Sequence, residues 1–242
     1  MKYKLICCEV FLREACLSIA TSPHTIDPEF TPKGAHDLAS HLKEVLQSKI
    51  DETEEKGIYD AILLGYGLCG NGIIGLKSKK IPLVIPRAHD CCTIFLGSRS
   101  KFLTYFQDNL SAEWSTVGYM ERGENYTRET DTTKMLGLDM EYSELVKQYG
   151  EDNAQYLWET LHPKTHNDEL IYIDVPETSN PVFLEKLREV ASKQGKTVRV
   201  LPGDIKMIKG LLWGNWDNED FLVVPPGHEV KGVYDQDKVI TI

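Results

Sequence analysis

The sequence predicts an α/β protein made of two Rossmann-like halves, each with a mostly parallel sheet, and a cleft between them. Three observations carry that expectation. Short apolar runs at Tyr3–Cys8, Ala61–Leu64 and Leu83–Ile85 alternate with helical stretches, the pattern of successive βαβ units. A second alternation of strand and helix starts at Leu170 and runs to Val224. Between the two, Met140 to Thr160 has helical periodicity and no strand signal. The division is therefore 1–120 for an amino-terminal half, 121–168 for a helical connector and 169–242 for a carboxy-terminal half.

Taken in order, Tyr3 to Cys8 is apolar enough to be buried on both faces. Glu9 to Ala20 has helical spacing. Thr21 to Pro32 reads as loop, because its Ser-Pro, Asp-Pro and Thr-Pro steps disfavour helix before each proline. Gly34 to Glu55 is an amphipathic helix with Leu38, Leu42, Val45, Leu46 and Ile50 along one stripe. Strands follow at Asp60 to Leu64 and Leu83 to Ile85. Ile94 to Asn109 reads as helix broken near Gly97-Ser98, Thr116 to Met120 as a short strand, and Glu121 to Thr133 as a polar exposed loop. The helical connector has a break at Gly150. In the second half, strands are expected at Leu170–Val175, Thr197–Leu201 and Phe221–Val224, and helices at Pro181–Lys193 and Asp204–Trp213. Lys238 to Ile242 reads as a last edge strand.

A chain of 242 residues is long enough to bury a sizeable core. Its formal net charge of -10 and pI near 5.2 argue against nucleic acid or an anionic membrane surface as main partner. No run of 18 apolar residues spans a membrane, and Met1-Lys-Tyr-Lys-Leu enters a strand pattern directly, so a cytoplasmic protein is expected. In that compartment the six cysteines are thiols, metal ligands or redox groups rather than a disulfide framework.

Placement makes the cysteines informative. Cys7-Cys8, Cys69 and Cys91-Cys92 each follow a predicted strand end, and in an open parallel sheet those ends lie side by side where ligands bind. Cys16 falls within the first helix and is expected to pack. Cys8, Cys69 and Cys91, with His89, form a candidate ligand set, since zinc takes thiolate and imidazole. An iron-sulfur cluster suits the same residues, and buried inert thiols or a metal-free reactive thiol remain as alternatives. The loop Gly65-Tyr-Gly-Leu-Cys69-Gly-Asn-Gly72 has the G-x-G-x-x-G spacing, but Arg87-Ala-His89 stands where a dinucleotide site would need an acid. Its Gly70 and Asn71 are candidate substrate contacts. Glu9, Glu14 and Asp90 are candidates to orient a ligand or move a proton, with the bland alternative of helix-start acids. Arg87 is a candidate clamp for an anionic group. His228, in Pro225-Pro-Gly-His228, would face the cleft from a strand end of the second half.

Cys8 followed by Arg13-Glu14, then Tyr66-Gly-Leu-Cys69-Gly-Asn-Gly and His89-Asp-Cys91 leading to Gly97-Ser98, resembles the family known as domain of unknown function 1638. Gly203-Asp, Gly214-Asn-Trp216 and Phe221-Leu-Val-Val-Pro-Pro-Gly-His228 continue the resemblance. Members occur in archaea and bacteria that use corrinoid-dependent methyl transfer, so the resemblance implies a role in one-carbon or methyl metabolism. The combined expectation is a zinc-thiolate enzyme or accessory factor acting on a small metabolite. The alternative is an iron-sulfur or corrinoid-related accessory protein serving a methyltransferase partner, although the corrinoid motif Asp-x-His-x-x-Gly is absent.

Overall fold

The computed structural model describes residues 1–36, 39–106, 112–123, 142–151, 154–155, 158, 168–233 and 238–242. The first apolar run forms β1 (Lys2–Cys8), buried along nearly its whole length. A 3-10 turn at Glu9–Phe11 leads into α1 (Leu12–Thr21). The chain continues through β2 (Thr25–Thr31), α2 (Ala39–Lys56), β3 (Ala61–Gly65), β4 (Leu83–Pro86), α3 (Cys91–Leu96) and α4 (Arg99–Phe106). Then come β5 (Trp114–Ser115), α5 (Val117–Glu121), α6 (Tyr142–Tyr149), β6 (Glu169–Asp174), α7 (Pro181–Lys193) and β7 (Thr197–Pro202). The described elements end with α8 (Lys206–Trp213), β8 (Phe221–Val224), β9 (Lys231–Gly232) and β10 (Ile240–Thr241).

The strands make a mixed α/β architecture whose main sheet is mostly parallel. That sheet has the order β2-β1-β3-β4-β8, with only β8 antiparallel. A parallel three-stranded sheet runs β5-β6-β7, and β9 pairs with β10 antiparallel. Ile171 and Ile173 of β6 belong to the same buried cluster as the main sheet, while Leu170 and Tyr172 pack with Leu187 and Ala191 of α7. Period-2 alternation thus gives β6 one face toward the large core and one toward its own helix.

Four elements differ from the sequence expectation. The proline-rich stretch read as loop contains β2, paired with β1 from Lys2↔Thr25 to Cys8↔Thr31. Pro28 is tolerated because β2 is an edge strand, where a missing N–H breaks no ladder on the open side. The expected strand at Thr116–Met120 is α5, started by Thr116, whose hydroxyl accepts from Tyr119 N at 3.2 Å. Phe221–Val224, expected to continue a second parallel sheet, pairs antiparallel with β4 of the first. The helix expected over Ile94–Asn109 starts earlier, at Cys91, and breaks at Gly97, which has φ +74°. Part of the expected loop at Glu121–Thr133, and much of the helical connector, lie outside the described residues.

Candidate functional site

β1 sets the geometry through its alternation. Lys4 pairs with Glu29 at 2.6 Å, and Glu29 also pairs with Lys49 of α2, so the Lys4, Ile6, Cys8 face looks toward α2. Tyr3 meets His24 and Trp216, at 5.0 and 5.3 Å between ring centroids, so the Tyr3, Leu5, Cys7 face looks toward α1 and α8. Adjacent cysteines therefore serve different environments. The Cys7 thiol donates to the carbonyls of Cys8 and Gly65, at 3.5 and 3.6 Å. Burial pushes its pKa far up, and the nearby Glu14 and Cys16 push it further. Cys7 is a protonated packing thiol.

Cys8 lies opposite Thr31 in the ladder, and the Thr31 hydroxyl shares a hydrogen bond with the Tyr66 hydroxyl. Tyr66 is buried, and its pKa is raised first by burial and then by the neighbouring Cys8, with smaller contributions from Cys7 and Cys69, while the Thr31 bond opposes them. The end of β1 and the loop after β3 thus meet around one tyrosine oxygen.

The loops after β3 and β4 are laced together. Leu68 N donates to Ala88 O at 2.8 Å and Cys69 N to His89 O at 3.0 Å. Gly67 is required by this approach: a Cβ there would sit 2.7 Å from Asp90 Cα. The chain then turns through three successive left-handed residues, Cys69 (φ 46°), Gly70 (φ 64°) and Asn71 (φ 70°). Asn and Gly visit that region readily, whereas Cys69 does so at a cost. Cys69, Cys91 and Cys92 are all buried, and none of the six cysteines forms a disulfide among the described residues.

The remaining sequence candidates are dispersed. Asp90 is buried and caps α3, accepting from Thr93 N at 3.2 Å. The His89 ring lies 5.8 Å from that of Phe102, and burial, then Arg99, lowers its pKa. Arg87 spends its guanidinium on backbone: Nε donates to Asn218 O and Phe221 O at 3.0 and 3.2 Å, and Nη1 to Lys238 O at 3.0 Å and to Ile240 O. Glu14 is buried against the turn after β6, accepting from the Thr178 hydroxyl, and its Oε2 has no partner. Burial raises its pKa, as does the charge of Glu121, against the bond from Thr178. Glu9 accepts from Lys33 N at 2.7 Å. His228 is exposed and its Nδ1 lies 3.3 Å from Pro226 O. Because β8 is antiparallel, with Val224 opposite Leu83, His228 lies at the opposite end of the sheet from the thiol loops.

Among the described residues, no three His, Cys, Asp or Glu side chains stand close enough together to hold a metal ion. Tyr66, Thr31 and Arg99 complete the region and were not singled out by sequence. Tyr66 was masked by the glycine pattern around it, Thr31 sat in a stretch read as loop, and Arg99 follows a helix break.

A family model described as "Protein of unknown function (DUF1638)" matches residues 30–212 of this chain. The chain belongs to the DUF1638 family. The matched span of DUF1638 contains Tyr66, Cys69, His89, Cys91 and Arg99, while Cys8 and Glu14 precede it and His228 follows it. No curated protein and no solved structure matches the chain. No helix among its described residues is long and apolar enough to cross a membrane.

Proposed function

We propose that this DUF1638 protein is a cytoplasmic zinc-thiolate protein acting on a small metabolite of one-carbon or methyl metabolism. Cys8, Cys69 and Cys91 would hold the metal. The observation that supports the reading is that β1, β3 and β4 run parallel and adjacent, so their cysteine-bearing ends share one edge. The loops after β3 and β4 are hydrogen-bonded there. The thiols do not stand preassembled, so the reading requires them to change rotamer when the ion binds. A bound cation would supply what burial withholds, a charge that favours thiolate over thiol, and would act as Lewis acid toward the metabolite. Tyr66, beside Cys8, would hold a proton at its hydroxyl close to the reacting group.

The finer architecture belongs to the same proposal. β5, β6 and β7 with α7 would form a second Rossmann-like half, and the Glu14–Thr178 contact between α1 and the turn after β6 would line the cleft between halves. Glu14 Oε2, buried without a partner, would there accept or donate a proton.

Elemental analysis of protein purified without added metal, and again after zinc or anaerobic iron reconstitution, tests the reading. One zinc per chain is expected, falling sharply in Cys8→Ser, Cys69→Ser and Cys91→Ser variants that keep their circular dichroism. Iron with sulfide instead would move the assignment to a cluster. Metal that stays well below one per chain after both reconstitutions would remove the site.

A further inference from the structure

Sequence reasoning gave the anion-binding role to Arg87, but its hydrogen bonds are taken by four carbonyls. Beside it stands a second arginine with capacity to spare. Arg99 opens α4 and donates from Nη2 to Glu219 O at 2.7 Å. Arg87 donates to Asn218 O, so the two guanidinium groups grip consecutive carbonyls of one turn. His89 follows Arg87 by two residues, and its ring packs on Phe102. Phe102 follows Arg99 by three residues and shares its side of α4. Arg87 and Arg99 thus hold one turn, and His89 packs against the helix that Arg99 opens, at the carboxyl end of β4, the edge that carries the cysteines.

No carboxylate lies within 4.0 Å of Arg87, His89 or Arg99 among the described residues, in a chain with 37 acidic against 27 basic residues. Arg99 Nη1 is buried and has no hydrogen-bond partner. A buried charged donor left unpaired is costly, and two neighbouring guanidinium groups add repulsion. An oxyanion relieves both.

We propose that Arg99 and His89, backed by the charge of Arg87, bind the oxyanion group, carboxylate or phosphate, of a small metabolite. Arg99 Nη1 donates to one oxygen and an imidazole N–H to a second, while Arg87 fixes the turn that holds Arg99. The inference supplies a ligand class to the thiolate reading. It rests on that reading only for what happens to the ligand after it binds.

Titration calorimetry on the metal-stripped full chain, at constant ionic strength, provides the test, with sodium phosphate and sodium acetate as separate probes. Saturable binding of at least one anion is expected, in the millimolar range for a bare ion. Phosphate alone identifies a phosphoryl group, and acetate alone a carboxylate. Arg99→Leu should weaken binding by about tenfold or more, and Arg99→Lys, which keeps the charge and loses the fork, by less. Lys101→Ala, which breaks the nearby ion pair with Asp204, should leave binding within about twofold. If Arg99→Leu fails to fold, Arg99→Lys decides. The proposal is overturned if wild type binds neither ion, if the Arg99 variants bind like wild type, or if Lys101→Ala loses as much as they do. Metal content is measured apart, so loss of the zinc reading leaves this result standing, and the reverse.

Discussion

Gly67→Ala is the sharpest probe of how the thiol edge is built. The added Cβ would lie 2.7 Å from Asp90 Cα, 2.8 Å from its N and 2.9 Å from its C. All three are backbone atoms, so no side chain can swing aside. Holding the loops in place against that overlap costs about 1–3 kcal/mol, the usual penalty for overpacking. Letting them part instead sacrifices the Leu68–Ala88 and Cys69–His89 hydrogen bonds, at about 1 kcal/mol each. The two routes together predict destabilisation of about 1–3 kcal/mol in urea unfolding followed by tryptophan fluorescence, with an unchanged slope. Parting the loops also exposes Cys69, so its reaction with an aromatic disulfide reagent under native conditions should quicken. A stability change within about 0.5 kcal/mol, the range of a neutral surface substitution, together with unchanged thiol reactivity, would refute the close-approach argument.

Two further outcomes follow from the same geometry. Arg87→Leu should destabilise the fold by about 2–4 kcal/mol, since hydrogen bonds from a charged donor exceed the ordinary bond in strength; urea unfolding measures it, and proteolysis should quicken near residues 238–242, whose carbonyls Arg87 holds. Glu14 has a folded-state pKa above its ordinary 4.5, so the native state binds its proton more tightly than the unfolded chain does. Its contribution is therefore fully present below 4.5 and is lost as pH rises through the raised value. Glu14→Gln, which stays neutral, should flatten that fall, and melting temperatures measured from pH 4 upward for both proteins check it.

How much of this was legible depended on which property a residue pattern encodes. Apolar runs at Tyr3–Cys8, Ala61–Leu64 and Leu83–Ile85 name strands directly, and the rule that ligand loops leave the carboxyl ends of parallel strands brought Cys8, Cys69 and Cys91 to one edge. The same run of reasoning failed for Phe221–Val224, because an apolar run states that a strand exists and not which way it points. Its direction is fixed by pairing with β4 and by Arg87, which fastens its first residue and the preceding turn. Pro28 misled in the opposite sense: its missing N–H is decisive in a central strand and harmless at the edge that β2 occupies. Side-chain direction was legible only as alternation, which separates Cys7 from Cys8. It could not foresee that Tyr66 would fill the space beside Cys8, since that depends on Thr31 in a strand the prolines concealed.

The antiparallel β8 also bears on where chemistry can occur. It caps the open side of β4 and carries His228 away to the other end of the sheet, so on the proposed reading reacting groups would come from β1, β3 and β4 and from elements packed over their ends. At that edge the thiols are buried, and the proposed ligand would need part of the covering to move. One part of it, the Cys69–Asn71 turn, carries backbone strain. Holding a non-glycine residue such as Cys69 left-handed costs about 1–3 kcal/mol, and the turn is restrained by hydrogen bonds worth about 1 kcal/mol each. Opening it returns that strain but gives up the bonds from Cys69 N to His89 O, Gly72 N to Cys69 O and Ile74 N to Asn71 O, so the strain offsets only part of the loss. The turn that carries Cys69 thus stores strain that lowers the cost of releasing it.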